Sequence, residues 1–140
     1  MKGHFWSRFS GNFSNPSRQN LLNGKGSGFI QLQITVPDWE SGEKLAAILV
    51  ENRWCACAQI LGPIQSHFFW KEKRESENEF LILAKTRDSL FEQIADLIAK
   101  NHPYECPQII ALPIMRVSDS YKQWLDEQIR TVRDQCGSES

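Results

Sequence analysis

The chain alternates between a two-residue and a roughly 3.6-residue hydrophobic period in the order strand, helix, strand, strand, helix, strand, and that order leaves few folds open. "FIQLQITV" (29–36) alternates strictly, with Ile30, Leu32, Ile34 and Val36 on one face and Pro37-Asp38 as its stop. Leu45, Ile48, Leu49 and Asn52 follow at helical spacing, with Asp38 or Ser41 available as the cap. "CACAQILGPIQSHFFW" (55–70) reads as one long strand, broken or bulged at Gly62-Pro63, because proline cannot donate to a central ladder. "KEKRESEN" (71–78) reads as a charged turn, and "EFLILAKT" (79–86) as a strand apolar enough to be buried on both faces. Leu90, Phe91, Ile94, Leu97 and Ile98 form the second helical stripe, with Thr86 or Asp88 as cap and Pro103 as its terminator. "QIIALPIMRV" (108–117) is the fourth strand. A last helix, capped by Ser118 or Asp119, turns Tyr121, Trp124, Leu125 and Gln128 inward.

This order is the split β-α-β, ferredoxin-like arrangement of the α+β class. Right-handed crossovers place both main helices on one face of a four-stranded antiparallel sheet. The other face is then short of cover, since Trp70, Phe68 and Ile110 cannot all lie under two helices. Apolar surplus of that kind is usually buried against further copies of the chain, so an oligomer is expected.

At 140 residues the chain is one domain long. Residues 1–28 are rich in Ser, Asn, Gly and Arg and lack periodicity; we expect a flexible extension, followed by a domain at 29–134 and a disordered tail at 135–140. Lys2, Arg8, Arg18 and Lys25 are the four basic residues of 1–37, which contain no acid. A basic, serine-rich start is that of an organelle transit peptide; a mis-assigned start or an expression leader gives the same pattern. The remaining 12 basic and 17 acidic residues leave the body at −5, which argues against a nucleic-acid partner. No apolar run reaches the length needed to span a bilayer. Cys55, Cys57, Cys106 and Cys136 contain no Cys-x-x-Cys pair, and we read them as reduced thiols of a reducing, cytoplasmic setting.

Four groups of side chains could carry chemistry. "NHPYECPQ" (101–108) ends a helix and starts a strand; beyond that structural role, His102, Tyr104 and Glu105 could line a cleft where imidazole and carboxylate share a divalent metal. Glu75, Glu77 and Glu79 recur at every second residue and would attract hard cations, although a solvated turn with Lys71, Lys73 and Arg74 as counter-charges is the commoner outcome. Cys55-x-Cys57 could hold a soft ion such as Cu(I), but cysteine in an apolar strand usually acts as a small buried hydrophobe. His67 is expected to hydrogen-bond locally, and His4 belongs to the leader. Motifs for nucleophilic, phosphate-binding or zinc-hydrolase chemistry are missing, so no enzyme is nominated.

Taken together, "CAQILGPIQSHFFW", "EFLILAKT", "NHPYECPQIIALPI" and "SYKQWL", in this order and spacing over residues 29–130, resemble the CutA family of divalent-cation tolerance proteins. The resemblance implies a ferredoxin-like protomer in a tight homotrimer, with strands reaching across subunit boundaries and clefts between protomers. It further implies association with copper and other divalent metals, a trimer shape like that of the PII signalling proteins, and for some animal relatives a link to anchoring acetylcholinesterase at membranes. Cys57, Trp70, Lys85-Thr86, His102, Pro103, Tyr104, Pro107 and Trp124 match family positions. The hairpin departs from the family's Trp-x-Gly-Lys pattern, reading Trp70-Lys71-Glu72-Lys73-Arg74. Of the three copper-ligand positions attributed to bacterial members, two hold Ile34 and Asn101 here, and His102 remains.

The resulting expectation is a non-enzymatic homotrimer that binds divalent metal (copper) weakly, or a small ligand, in inter-subunit clefts. The cleft residues would be Lys85, Tyr104, Glu79 and Trp70, with His102 as metal ligand and no organic cofactor. The alternatives are a PII-like sensor binding a small anion or nucleotide beside Lys85, and a scaffold for protein partners. The expected location is the cytoplasm, or an organelle if residues 1–28 are a transit peptide.

Overall fold

The computed structural model describes residues 26–131. The sequence expectations for most of the N-terminal extension, for His4 and for the C-terminal tail lie outside the described residues. The elements are β1 (Phe29–Val36), α1 (Trp39–Glu51), β2 (Cys57–Trp70), β3 (Lys73–Arg87), α2 (Phe91–Asn101, entered through a 3-10 turn Asp88–Leu90), β4 (Ile109–Ile114) and α3 (Asp119–Gln128). The strands form one antiparallel sheet in the order β2-β3-β1-β4, the ferredoxin-like α+β topology expected from the periodicity. Among the described residues no helix is long and apolar enough to cross a membrane.

The even-numbered residues of β1 make one layer of the core. Leu32, Ile34 and Val36 are fully buried, together with Ile82 and Ala84 of β3 and with Leu45, Leu49, Leu90, Ile94 and Ile98 from the helical segments. Asp38 caps α1 by accepting the Ser41 backbone N–H at 2.7 Å, and this bond lowers its carboxyl pKa. Asn52 closes the other end, its side-chain amide donating to Ile48 O at 2.8 Å. Neither Thr86 nor Asp88 caps α2: the 3-10 turn intervenes, and the Thr86 hydroxyl instead donates to Trp54 O at 2.6 Å.

The odd-numbered residues face away from α1 and α2. Across the ladder Gln33 stands opposite Leu83 and Ile110, and Gln31 opposite Lys85 and Leu112. Leu61, Ile110 and Leu112 are 42–43% exposed on this open face, which is the uncovered apolar surface anticipated above. β3 is therefore not buried on both faces in one protomer; Ile82, Ala84 and Thr86 are covered, whereas Leu81 and Leu83 stay half-buried.

Two further expectations change. Residues 73–78 are strand, and the turn shrinks to Lys71-Glu72. β2 and β3 outrun β1, which pairs only with Phe80–Arg87, so Ile64–Trp70 and Lys73–Glu79 form a two-stranded arm whose charged side chains, apart from the buried Glu79 at its root, keep access to water. Lys71 (φ 49°) and Glu72 (φ 65°) both take the left-handed conformation required at a two-residue hairpin turn, where glycine is cheaper. Glu72→Gly should raise stability by about 1 kcal/mol, read from urea denaturation midpoints. In α3, Leu125 is buried, but Tyr121 and Trp124 stay on the surface, their rings 5.4 Å apart. This short helix buries only one position, and polar ties hold it down: the Arg87–Asp126 ion pair at 2.8 Å, and Arg130 over the Trp54 ring at 4.2 Å.

Gly62-Pro63 forms the bulge. Leu61 pairs with Leu81 and Ile64 with Glu79, so β2 advances three residues while β3 advances two. Opposed residues share a face, and the extra residue reverses the parity of β2. Beyond the bulge Ser66, Phe68 and Trp70 join Glu75, Glu77 and Glu79 on the open-face side of the arm.

Candidate functional site

Where the arm leaves the sheet, a cleft of about 940 Å³ opens between the arm and the loop that joins α2 to β4. That loop exists because α2 must stop before Pro103; Asn101 Nδ2 takes up Leu97 O at 2.8 Å, and His102 is already extended. His102 then fixes the loop. Its Nε2 lies 2.7 Å from Thr35 O, and a carbonyl only accepts, so Nε2 carries the proton. Nδ1 is left to accept the Tyr104 backbone N–H at 3.0 Å.

Tyr104 is thereby aimed at β3, and its hydroxyl donates to Glu79 Oε2 at 3.0 Å. Glu79 is only 6% exposed. Burial first, then the bond to the Glu79 carboxylate and the charges of Glu79, Glu77 and Asp38, push the Tyr104 phenol up to about 12. Tyr121 is also raised, by burial and by Cys57 beside it. The Tyr104 share of the absorbance at 295 nm, read as the difference between wild type and Tyr104→Phe, should therefore stay small at pH 10.5 until the protein unfolds. The unfolded chain loses the Tyr104 proton first, so this contribution to stability is complete below about pH 10 and disappears as pH rises towards 12.

Of the residues singled out in the sequence, Tyr104, Glu79 and Trp70 line this cleft together. Lys85 does not. It shares the open face, but it lies six residues along β3 from Glu79, roughly 20 Å at strand rise, and its Nζ donates to Gln59 Oε1 at 2.8 Å. His102 stands behind Tyr104 with both ring nitrogens engaged, so a metal there would have to displace the Thr35 or the Tyr104 bond. Glu75 and Glu77, which turn chemistry would have left in solvent, reach the cleft because residues 73–78 are strand. Phe68 and Cys106 also line it, and His67, exposed, sits at its margin. Phe68 was legible only as an apolar position, since the bulge decides which way it points. Cys55, Cys57 and Cys106 are free; burial pushes the Cys55 thiol up to about 12, which makes it an inert core residue. Among the described residues no group of three His, Cys, Asp or Glu side chains is placed to hold a metal ion.

The cleft, the arm and the open face occur on a chain with many known relatives. The family model described as "CutA1 divalent ion tolerance protein" matches residues 30–128. "Protein CutA, chloroplastic" of Arabidopsis thaliana is 41% identical over 101 residues, covering 72% of this chain and 56% of that protein. The chain thus spans little more than half of that plant relative, and likewise 57% of "Protein CutA 1, chloroplastic" of Oryza sativa. "Divalent-cation tolerance protein CutA" of Archaeoglobus fulgidus is 37% identical over 98 residues, covering 70% of this chain and 95% of that protein. Among solved structures, CutA1 from Oryza sativa superposes with a TM-score of 0.71 at 34% identity, covering 73% of this chain and 94% of that one. The divalent cation tolerance protein of Thermus thermophilus also gives 0.71, at 33% identity, with 73% and 99% covered. With a family match over nearly the whole described region and relatives of this similarity, the chain belongs to the CutA1 divalent ion tolerance family.

Proposed function

We propose that the chain is a binding protein, not an enzyme, that assembles as a homotrimer through its open face and holds divalent cations such as copper weakly in clefts beside the arm. The observation that carries this reading is the sign of the cleft: Glu75, Glu77, Glu79 and Glu105 line it, and among the described residues no lysine or arginine does. Carboxylates spread along one wall attract a cation without enclosing it, which suits low affinity and easy release. Tyr104, Glu79 and Trp70 are the cleft residues in this reading. His102 positions Tyr104 and meets a metal only by giving up one of its bonds. The domain bounds we propose remain those read from the sequence, 29–134, and we take the basic stretch 1–28 as an addressing segment, in keeping with the word "chloroplastic" in the names of two plant relatives.

Native mass measurement with and without copper tests the reading. A species of three times 16.2 kDa is expected, with copper adducts that Glu79→Gln diminishes. A stable single subunit at micromolar concentration would overturn the assembly, and adducts indifferent to Glu79→Gln would overturn the cleft.

A further inference from the structure

We infer that a second site, remote from the cleft, binds a phosphate group between Arg53 and Arg130. Arg53 and Trp54 lie just before β2 begins at Cys57, and the arm lies at the other end of that strand. The site therefore depends neither on the open face nor on the cleft reading.

A concavity of about 510 Å³ opens where the ends of α1 and α3 meet, lined by Asn52, Arg53, Glu127, Gln128, Ile129 and Arg130. Two arginines thus border one space, and the Arg130 backbone N–H, donating to Arg53 O at 2.9 Å, holds their main chains side by side. Like charges brought together repel, and a carboxylate between them is the usual remedy. Among the described residues neither Arg53 nor Arg130 forms an ion pair. Glu127 lines the space too, but it is turned along its own helix, where Oε1 accepts Gln123 Nε2 at 3.0 Å. The Arg130 guanidinium lies over the Trp54 ring at 4.2 Å, and its Nε is buried with no hydrogen-bond partner among the described residues. A donor left in that state calls for an acceptor.

Arg53 supplies the second reason. It follows the Asn52 cap of α1 with φ 58°, the left-handed position that ordinarily belongs to glycine. An arginine there strains the backbone, and its side chain is what glycine would lack. Its bonds to Gln128 O and Oε1 are long, 3.3 and 3.4 Å, and both come from Nη1, so the rest of the fork is available. Helix-end carbonyls that would repel an anion are already engaged: Ile48 O accepts Asn52 Nδ2, Leu125 O the Ile129 N–H, and Gln128 O Arg53. Two guanidinium forks offer more donors and more charge than one carboxylate can use. A phosphate dianion, with three terminal oxygens, can take both. The volume leaves room for a small organic group on that phosphate.

The test is calorimetric titration of the full chain with inorganic phosphate, and in parallel with acetate at matched ionic strength. Phosphate should bind and raise the melting temperature, with acetate about tenfold weaker or worse. Arg53→Gln and Arg130→Gln should each weaken phosphate about tenfold, since each removes one charged fork. If Arg130→Gln does not fold for want of its stack on Trp54, Arg53→Gly serves, because glycine accepts φ 58° without strain. Absence of phosphate binding, an acetate affinity equal to that for phosphate, or phosphate binding that survives both arginine changes overturns the inference. Phosphate binding that appears only in an Asp134→Asn/Glu139→Gln chain also overturns it, by making the chain's own carboxylates the occupant. Each of these results leaves the cleft reading untouched.

Discussion

Gly62→Ala is expected to cost about 3 kcal/mol of folding stability, measured as a lowered urea midpoint with an unchanged slope. Two independent costs combine. Gly62 has φ +145°, a backbone region that side-chain-bearing residues rarely occupy. A Cβ there would also sit 2.8 Å from Phe80 Cδ1, 3.1 Å from Glu79 O and 3.2 Å from Phe80 Cα. Two of those three neighbours are backbone, and the Phe80 ring is held edge-on against Trp39 at 5.7 Å, so little can move aside. The consequence extends to the cleft. Gly62 packs on the Glu79–Phe80 backbone, and the bulge it permits sets the parity of the arm. A variant that relaxed by losing the bulge would rotate Phe68 and Trp70 to the opposite face, so ligand affinity should fall together with stability. A midpoint within experimental error of the wild type would show that the bulge has no such role.

Leu112→Glu is expected to convert the assembly into a folded single subunit of 16.2 kDa by sedimentation, with an unchanged far-UV spectrum. Leu112 is 42% exposed and stands on the open face opposite Gln31, so one protomer does not depend on it for its own core. Burying a leucine is worth about 1.5–3 kcal/mol, and a carboxylate in its place adds a desolvation penalty at every copy of the contact. The protomer core, built on Leu32, Ile34, Ile82 and the helices, lies on the other side of the sheet and stays intact. A Leu112→Glu chain that still sediments as the wild-type oligomer would place the contact elsewhere on the protomer.

Much of the architecture was legible because periodicity reports burial directly. Ile30, Leu32, Ile34 and Val36 fall on the covered face, as their alternation requires, and Leu90, Ile94 and Ile98 are all buried. The uncovered face was legible too, from an excess of large apolar residues over helix area. Residues 73–78 were misread because a run of charges gives the same signal in a turn and in an arm open to water; local composition cannot tell them apart. Tyr121 and Trp124 were misread because a stripe at helical spacing shows which face is apolar, not whether anything packs against it.

The candidate site divides in the same way. Pro103 and the extended residue before it had to end α2 near Asn101, and Gly62-Pro63 had to interrupt β2; steric limits on backbone angles act on a residue and its immediate neighbours, so the order of residues settles them. That Tyr104 reaches Glu79, that His102 Nε2 meets Thr35 O, and that Lys85 is tied to Gln59 away from the cleft depend on residues dozens of positions apart meeting in space. Register and the one-residue offset at the bulge decide those meetings. A shift of one position costs nothing in local propensity, yet it turns every side chain to the other face, so only the folded sheet could choose between them.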